Sequence, residues 1–257
     1  MAARTLMYLY KMKSAGGLAL KDALGVQQIL HEGSQFKGDK ETVVINWGRG
    51  DTFENKEIDK CKIINHPLAI SLAINKTSFL QAASQVSRTV PFTTSKWLAK
   101  TWAALGHTIY CRMTATGFEG KGIEIVKGLD LPSAPLYTQA VKSEREYRVH
   151  VMDGKAIVVH RKVAKERYDA DLKQDIRNTD NGWVFRKVIQ YPQDIVDRAI
   201  PAVKAVGLDF AAVDVLWDGE KAWLLEANTA PGIDGMDFTI NAYKEGLKKL
   251  VDKKLKV

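Results

Sequence analysis

The stretch of sequence that decides the fold is Trp223-Leu224-Leu225-Glu226-Ala227-Asn228-Thr229-Ala230-Pro231-Gly232. It starts as an apolar strand and ends in a carboxylate and an amide two positions apart. Because side chains alternate between the two faces of a strand, Glu226 and Asn228 are expected to point to the same side. Polar groups at the end of a buried strand need a partner, so this stretch predicts a ligand that takes oxygen donors.

The preceding segment supplies a third oxygen-bearing side chain. Residues 209–217, DFAAVDVLW, form another apolar run, and Asp218-Gly219 between the two runs is a hairpin turn signal. A hairpin brings Asp214 opposite Glu226 and Asn228. Two carboxylates and an amide suit Mg²⁺, which takes one or two carboxylates and leaves room for phosphates and waters. Each carboxylate alone is better explained by a solvated strand end, whereas the three together favour a metal site.

Length and composition are those of a globular protein. The chain has 257 residues, 46% hydrophobic and 26% charged, which fits one large domain or two to three lobes. No apolar run approaches the roughly 18 residues of a membrane helix. The N-terminus predicts a first strand rather than a secretory signal. The two cysteines, Cys61 and Cys111, form neither a disulfide framework nor a zinc motif, so we expect a cytoplasmic protein.

The formal net charge of +8 leaves several partners open. A soluble basic protein, an anionic small-molecule ligand and nucleic acid all fit it. The basic side chains are scattered and mixed with acidic ones, whereas nucleic-acid binders more often show a one-sided basic stripe with aromatics. The pattern therefore disfavours nucleic acid, although charge alone does not decide.

Hydrophobic periodicity divides the chain into three regions of mixed α/β type. Residues 1–74 predict a small unit of short strands and helices. Residues 75–138 predict a helix with a Thr or Ser start signal, a second helix and a hairpin. Residues 139–257 predict strands, a polar stretch up to Gly182, a helix over residues 194–206, the hairpin described above, and an amphipathic helix from about Asn241.

The hairpin of the middle region has a glycine-rich tip, TATGFEGKGI, at residues 114–123. Its glycines let a backbone approach an anion closely, and Lys121 adds charge. It matches neither the Walker A pattern nor GxGxxG. As an isolated signal the tip favours an ordinary loop, with a mobile flap as the alternative. Arg112 before the tip and Lys76 at a helix start are each better explained alone by a solvated surface charge, but a magnesium–triphosphate complex would need several such cations.

Taken in order, these segments resemble the ATP-grasp superfamily. The resemblance covers roughly residues 75 to 240, and its most specific part is the last. Within the superfamily the chain is most similar to carboxylate–amine ligases of the RimK-like and D-alanine–D-alanine ligase-like branches. The segments that carry it are NKTSFLQ and VPFT (75–81 and 90–93), CRMTATGFEGKGI (111–123), YTQAVKSEREYRV (137–149), GLDFAAVDVLW (207–217) and WLLEANTAPGIDG (223–235).

The resemblance implies an ATP-grasp fold of class α/β (α+β), with two α+β lobes clasping ATP behind a small α/β pre-ATP-grasp lobe. Residues 1–74 would be that first lobe, assigned by position only. Residues 75–138 would be the central lobe with the flap, and residues 139–257 the C-terminal lobe with the magnesium site.

The resemblance also implies roles for single residues. Asp214, Glu226 and Asn228 match the magnesium ligands, with Mn²⁺ as a substitute metal. In nucleotide binding, the hinge backbone would pair with adenine, a carboxylate would hold the ribose, and the flap and cations would cover the phosphates. The matching positions are Lys76, Arg112, the flap residues Gly117, Glu119, Gly120, Lys121 and Gly122, the hinge residues Gln139, Ala140, Val141 and Lys142, the ribose carboxylate Glu146, and Arg148.

Catalytic roles are assigned to Arg112, Arg161 and Arg177. Arg161 would reach phosphate or substrate, and Arg177 would supply a transition-state cation. The chain departs from the family pattern at three positions. Arg112 replaces a lysine, Asn75 stands where an aspartate often precedes the lysine, and Ala212 stands where the D-alanine ligase branch has a catalytic arginine. The last departure disfavours that branch.

The resemblance predicts an ATP-dependent ligase that forms an amide through an acylphosphate and releases ADP and phosphate. The partners would be ATP, a carboxylate substrate and an amine substrate, such as an amino acid, a peptide or a protein terminus, without a membrane. The sequence does not choose among these, and it leaves the oligomeric state open. An ATP-grasp kinase, a nucleotide-binding scaffold and a basic nucleic-acid-binding module are the alternatives.

Overall fold

The computed structural model describes residues 4–116, 122–165, 177, 180, 182–233 and 235–256. Within this part of the chain, three β-sheets follow one another along the sequence. Helices cover them and connect the first sheet to the third.

The first sheet is parallel, with strand order β2-β1-β3-β4. Its central strand β3 is buried at every position, as expected for a parallel strand covered on both faces. Helix α1 begins after Ser14, whose side chain accepts a hydrogen bond from the Gly17 N–H, and it ends at the left-handed Gly25. The elements are β1 Arg4–Leu9, α1 Ala15–Leu24, β2 Gln27–Gln28, β3 Thr42–Trp47, a short 3-10 helix Lys56–Lys60, β4 Lys62–Ile64 and α2 Pro67–Ile74.

The second sheet is antiparallel, with order β5-β8-β6-β7. Helix α3 precedes it and is capped by Asn75, whose side chain accepts a hydrogen bond from the Ser78 N–H. The predicted Thr or Ser start signal was therefore wrong, because asparagine caps a helix N-terminus equally well. The elements are α3 Lys76–Ser84, β5 Phe92–Thr93, α4 Lys96–Ala104, β6 Ile109–Arg112, β7 Ile123–Val126 and β8 Leu136–Gln139.

The third sheet is also antiparallel, with order β11-β10-β9-β12-β13. Strand β11 was not predicted, and the last helix begins at Asp237 rather than near Asn241. The hairpin turn at Asp153 and Gly154 was predicted correctly, and both residues have positive φ. The elements are β9 Arg145–Met152, β10 Lys155–Ala164, β11 Trp183–Lys187, α5 Gln193–Ala205, β12 Phe210–Trp217, β13 Ala222–Asn228 and α6 Asp237–Leu255.

The two faces of the third sheet differ in chemistry. Tyr147, Val149 and Val151 of β9 belong to the apolar cluster that also contains residues of α5, α2 and α3. The alternate positions of β9, Glu146, Arg148 and His150, face the other way because strand residues alternate. This second face is the polar face of the third sheet, and Tyr243 and Thr239 of α6 contact it.

Helix α6 joins the first sheet to the third in one core. Tyr243 of α6 lies with its ring 5.6 Å from Trp47 of β3 and 5.9 Å from Phe210 of β12. Leu247 and Leu250 pack in the same cluster. In the described part of the chain, no helix has both the length and the apolar composition needed to cross a membrane.

Asn65 makes a second connection between these two sheets. It is fully buried with a φ of 61°. Its side-chain oxygen accepts hydrogen bonds from the N–H groups of Asp209 and Phe210, and its amide donates to the Phe210 carbonyl. Asn65 thereby fixes the end of β4 against the start of β12.

The division of the chain at residue 74 remains a prediction. Helices α2 and α3 lie on either side of it, and residues of both belong to the apolar cluster of the third sheet. Residues on both sides of the predicted lobe boundary therefore pack in the same apolar cluster.

Candidate functional site

The candidate site is built on the β12–β13 hairpin. Asp214 pairs with Glu226 in the strand register, and Asn228 pairs with Ala212. Directly opposite residues of an antiparallel pair share a face, so the two carboxylates lie together. The Asn228 amide lies 3.3 Å from Oδ2 of Asp214. The three side chains singled out in the sequence thus meet on the polar face of the third sheet.

Each carboxylate is paired with a cation from another element. Arg148 of β9 makes a bidentate pair with Asp214, at 2.7 Å and 2.8 Å. Lys76, at the start of α3, lies 2.6 Å from Glu226. Burial acts to raise the pKa of Asp214, but Arg148 outweighs it and holds that pKa below its usual value. Asp214 is therefore charged at neutral pH and suited to holding a cation.

Arg112 brings the second sheet to the same place. Burial lowers the pKa of its guanidinium, and the charge of Glu226 acts in the opposite direction. Its Nε is buried and has no hydrogen-bond partner in the described residues. The Lys76 N–H donates to the Ala115 carbonyl at 2.9 Å, which ties the loop after β6 to α3. A buried cationic N–H without a partner, close to two carboxylates, suits an anion that binds both this N–H and a metal held by the carboxylates.

Glu146 lies on the polar face two residues before Arg148 in β9, on the side of the predicted hinge. It is buried and ion-paired with Lys162 of β10. Lys162 also donates to the carbonyl of Arg177 at 2.6 Å, and the Arg177 guanidinium donates to the Ser143 carbonyl at 3.3 Å. Burial raises the pKa of Glu146, while Lys162 opposes that shift. These contacts place Glu146 and Arg177 next to the segment that follows the predicted hinge.

The predicted hinge, Gln139–Lys142, connects the second and third sheets. The Gln139 N–H donates to the Pro91 carbonyl at 3.0 Å, and the Ala140 N–H donates to the Thr108 carbonyl at 2.9 Å. Val141 packs against the core of the third sheet, and Lys142 is exposed. Backbone hydrogen bonds therefore fix Gln139 and Ala140, the first half of this segment.

Two residues of the site were missed in the sequence, Lys162 and Phe185. The Arg148 guanidinium lies 4.1 Å from the centre of the Phe185 ring, and the Lys162 ammonium lies 4.9 Å from it. Such cation–π contacts hold the two cations along the face of the sheet. The signal available for Lys162 was its position two residues from His160, since strand alternation puts both on one face.

Arg161 is not brought to this cluster. It pairs in register with Tyr147, whose ring lies in the apolar cluster on the opposite face. Register partners share a face, so Arg161 lies on the helix-covered side of the sheet. Arg161 therefore lies outside the polar-face cluster, in which Lys162 lies instead, and its predicted contact with phosphate or substrate remains a prediction.

The predicted flap is described only at its base. Gly117, Glu119, Gly120 and Lys121 lie outside the described residues. Gly122 has a φ of 72°, and its carbonyl accepts a hydrogen bond from the Met113 N–H at 2.7 Å. Strands β6 and β7 are therefore paired up to the base of the predicted flap.

A chain of buried hydrogen bonds lies behind Arg148 on the same face. Nδ1 of His150 is 3.0 Å from the Tyr243 hydroxyl, and Nε2 of His150 is 3.2 Å from Nδ1 of His160. Nε2 of His160 is 3.0 Å from the Thr239 hydroxyl. Burial lowers the pKa of both imidazoles, that of His160 to about 4. A neutral imidazole has one donor and one acceptor nitrogen, and every ring nitrogen of His150 and His160 has a partner in this series of hydrogen bonds.

The loop that follows Asn228 is packed against the first sheet. Gly48, at the end of β3, has a φ of 86°. A Cβ at this position would lie 2.6 Å from the Cβ of Ala230. The glycine therefore permits a close approach between the turn after β3 and the loop after the candidate metal ligands.

The donor set is compatible with a hard cation. No group of three or more His, Cys, Asp or Glu side chains that could hold a metal occurs in the described residues. The Asn228 amide nitrogen donates to Asp214. With that amide turned over, its oxygen and the carboxylates of Asp214 and Glu226 would form the sparse all-oxygen set that suits Mg²⁺ with phosphates and waters. The neighbouring cations show that both carboxylates attract positive charge.

Comparisons with known proteins bear on the fold. No protein-family model matches the chain. A probable alpha-L-glutamate ligase of Haemophilus ducreyi (strain 35000HP / ATCC 700724) is 26% identical over 189 residues, which cover 69% of this chain and 61% of that relative. The chain therefore matches less than two thirds of the length of that curated relative.

Solved structures match over nearly the whole chain. The ATP-grasp ligase PsnB, complexed with a minimal precursor, superimposes with a TM-score of 0.71 at 16% identity, covering 99% of this chain and 100% of that one. A PsnB complex with a phosphomimetic variant of minimal precursor, Mg and ADP gives 0.69 at 15%, with 99% and 100% coverage. The D-alanine–D-alanine ligase of Bacillus anthracis, complexed with ATP, gives 0.65 at 14%, with 100% and 98% coverage. At such identities these likenesses establish the fold.

Proposed function

The chain has the ATP-grasp fold, and on that premise we propose that it is an ATP- and magnesium-dependent carboxylate–amine ligase. In this proposal, residues 1–74 are a pre-ATP-grasp lobe, residues 75–138 the central lobe and residues 139–257 the C-terminal lobe. ATP would lie between the last two. Such a protein needs no membrane, and we expect it in the cytoplasm.

The observation that carries the proposal is the pairing of Asp214 with Glu226, with Asn228 beside them and cations on both sides. These three residues would hold Mg²⁺, or Mn²⁺ in its place, which when bound offsets phosphate charge and polarises the transferring group. Lys76 and Arg148, which pair with these carboxylates, would contact the phosphates of the bound nucleotide.

The nucleotide would follow the polar face from the metal site toward the hinge. Glu146, buried beside Lys162, would accept hydrogen bonds from the ribose hydroxyls. The backbone of residues 139–142 would pair with adenine. The flap, residues 117–122, would cover the phosphates with its N–H groups, and the hairpin base at Gly122 supports that position.

The proposed reaction has two steps. A substrate carboxylate oxygen attacks the γ-phosphorus of ATP, which forms an acylphosphate and releases ADP. An amine then attacks the acyl carbon, the bond from that carbon to the phosphate oxygen breaks, and the amine loses a proton. The chain contributes positioning and charge neutralisation. Arg112, with its orphaned Nε, faces the charge that develops on the phosphoryl group, and Arg177 is a second cation at the hinge end.

Proteins of similar fold act on amino acids and peptides. The compared structures include a D-alanine–D-alanine ligase and PsnB bound to a precursor, and the curated relative is a probable glutamate ligase. We accordingly propose a carboxylate and an amine on an amino acid, a peptide or a protein terminus. The net charge of +8 suits an anionic substrate.

The test is ADP release with Mg²⁺ and ATP across a pool of amino acids and short peptides, with products followed by mass. ADP together with a mass equal to two substrates minus water supports the ligase. ADP with a mass gain of one phosphate identifies a kinase instead. Failure to bind ATP refutes the proposal.

A pair of variants separates the metal site from general damage. Glu226→Ala should abolish magnesium-dependent ADP release while the protein still folds. The matched control is Glu220→Ala, in the same hairpin, because Glu220 is exposed and contacts only the neighbouring Lys221 among described ion pairs. Equal activity of Glu226→Ala and the control would place the metal elsewhere.

A further inference from the structure

Strand β10 has an outer edge that its neighbour covers only in part. β10 runs from Lys155 to Ala164, while β11 pairs with residues 160–164 alone. The Val188 N–H extends this pairing by one bond to the Val159 carbonyl. In the described part of the chain, no strand pairs with the outer edge of Lys155–Val158. Unpaired backbone donors and acceptors on a sheet edge are a template for an added strand.

A groove of about 260 Å³ lies along this open edge. Its walls are apolar side chains that the fold leaves in water. Ile189 is 83% exposed and Phe238 is 53% exposed, and Tyr191 lies beside them. An apolar rim next to a free strand edge offers both backbone hydrogen bonds and contacts for alternate side chains.

The charge of the groove determines which occupant fits. Lys187 is the one charged side chain among the described residues that line it, and its ammonium lies 3.0 Å from the centre of the Phe238 ring. Lys155 is exposed at the start of the open edge. A second copy of this chain, paired edge to edge, would add its own Lys155 and Lys187 and so raise the positive charge along the groove. An acidic strand would instead neutralise them.

We propose that the outer edge of Lys155–Val158 binds an extended peptide segment as an added strand, with apolar side chains against Ile189 and Phe238 and a carboxylate against Lys187. The groove, which we call the β10 edge groove, is lined by residues 156–159, 187–189, 191 and 238. The proposal goes beyond the ligase function and does not depend on it, because no residue of the groove belongs to the candidate active site.

The test is selection of peptides from a random decapeptide phage library on the purified protein. The expected peptides alternate apolar residues with Asp or Glu, and Ile189→Lys should weaken their binding by at least about tenfold. The matched control is Leu105→Lys, since Leu105, directly after α4, is an apolar residue that is also largely exposed. Lys187→Glu should reverse the charge preference, so that selection then yields basic peptides.

Two further measurements identify the mode of binding. N-methylation of alternate peptide amides should abolish binding, because an added strand needs those donors. Hydrogen exchange at the amides of Lys155–Val158 should slow when the selected peptide is added. No enrichment, equal binding to Ile189→Lys, or protection at another place overturns the proposal. So does a dimer that Ile189→Lys converts to a monomer, which would make the groove a self-interface.

Discussion

Acidification from pH 7 to pH 5 should destabilise the fold through the buried pair His150 and His160. The pKa of His160 is lowered from 6.5 to about 4, first by burial and then by the charges of Arg148 and Lys187. Between these two values the unfolded chain binds more protons than the folded one, so stability falls as pH falls. The contribution is full above the unfolded pKa and is lost progressively toward pH 4.

The size of the effect follows from the width of that window. Each unit of difference in pKa corresponds to about 1.4 kcal/mol, which gives roughly 3 kcal/mol for His160 over the whole window. Between pH 7 and pH 5 the loss is about 2 kcal/mol. His150, whose pKa is also lowered by burial, acts in the same direction. Thr239 and Tyr243 face the two imidazoles from α6, so protonation also disturbs the docking of that helix.

The assay is urea unfolding at several pH values for the natural chain and for His160→Gln. The pH dependence of the natural chain should exceed that of the variant by about 2 kcal/mol between pH 7 and pH 5. Taking the difference removes Glu146, whose raised pKa gives the opposite trend on acidification. Parallel curves would refute the reasoning. So would an NMR titration of the natural chain that finds His160 with an ordinary pKa.

Three other changes test single contacts. Arg148→Lys removes the bidentate pair with Asp214, so the pKa of Asp214 should rise toward its usual value and affinity for magnesium–ATP should fall, as calorimetry would show. Gly48→Ala should cost about 1–3 kcal/mol in urea unfolding, because of its φ of 86° and its approach to Ala230; an unchanged midpoint would contradict the close packing. Asn65→Ala should cost about 3 kcal/mol through the buried backbone groups that it leaves unpaired, and a loss below about 1 kcal/mol would show that another partner replaces it.

The β12–β13 hairpin was predictable from the sequence because its information is local. An Asp-Gly turn sets the pairing, and a period of two sets the faces of Glu226 and Asn228. This pairing then sets Asp214 opposite Glu226. Bringing the three predicted metal ligands together therefore needed no knowledge of distant packing.

The polar face of β10 was not predictable in the same way. Val158, Val159 and His160 are all buried, so burial gives no alternation there from which to assign faces. A bulge between Ala156 and Val158 also shifts the register with β9. Deciding which of Arg161 and Lys162 lies on the polar face required the observed register of β10 with β9. Strand β11 was missed for a related reason, since it is a short edge strand in which charged residues follow aromatic ones.

The contact between α6 and the first sheet has a consequence for biosynthesis. Met7, Leu9 and Val43 are translated early, yet they share a core with Tyr243, Leu247 and Leu250. At about 5–20 residues per second, a ribosome needs roughly 10 to 40 seconds to travel from Trp47 to Asp237. For that interval the nascent first sheet has an apolar side without its native cover. A chaperone that shields exposed strands during translation should therefore raise the yield of folded protein more than one that acts after release.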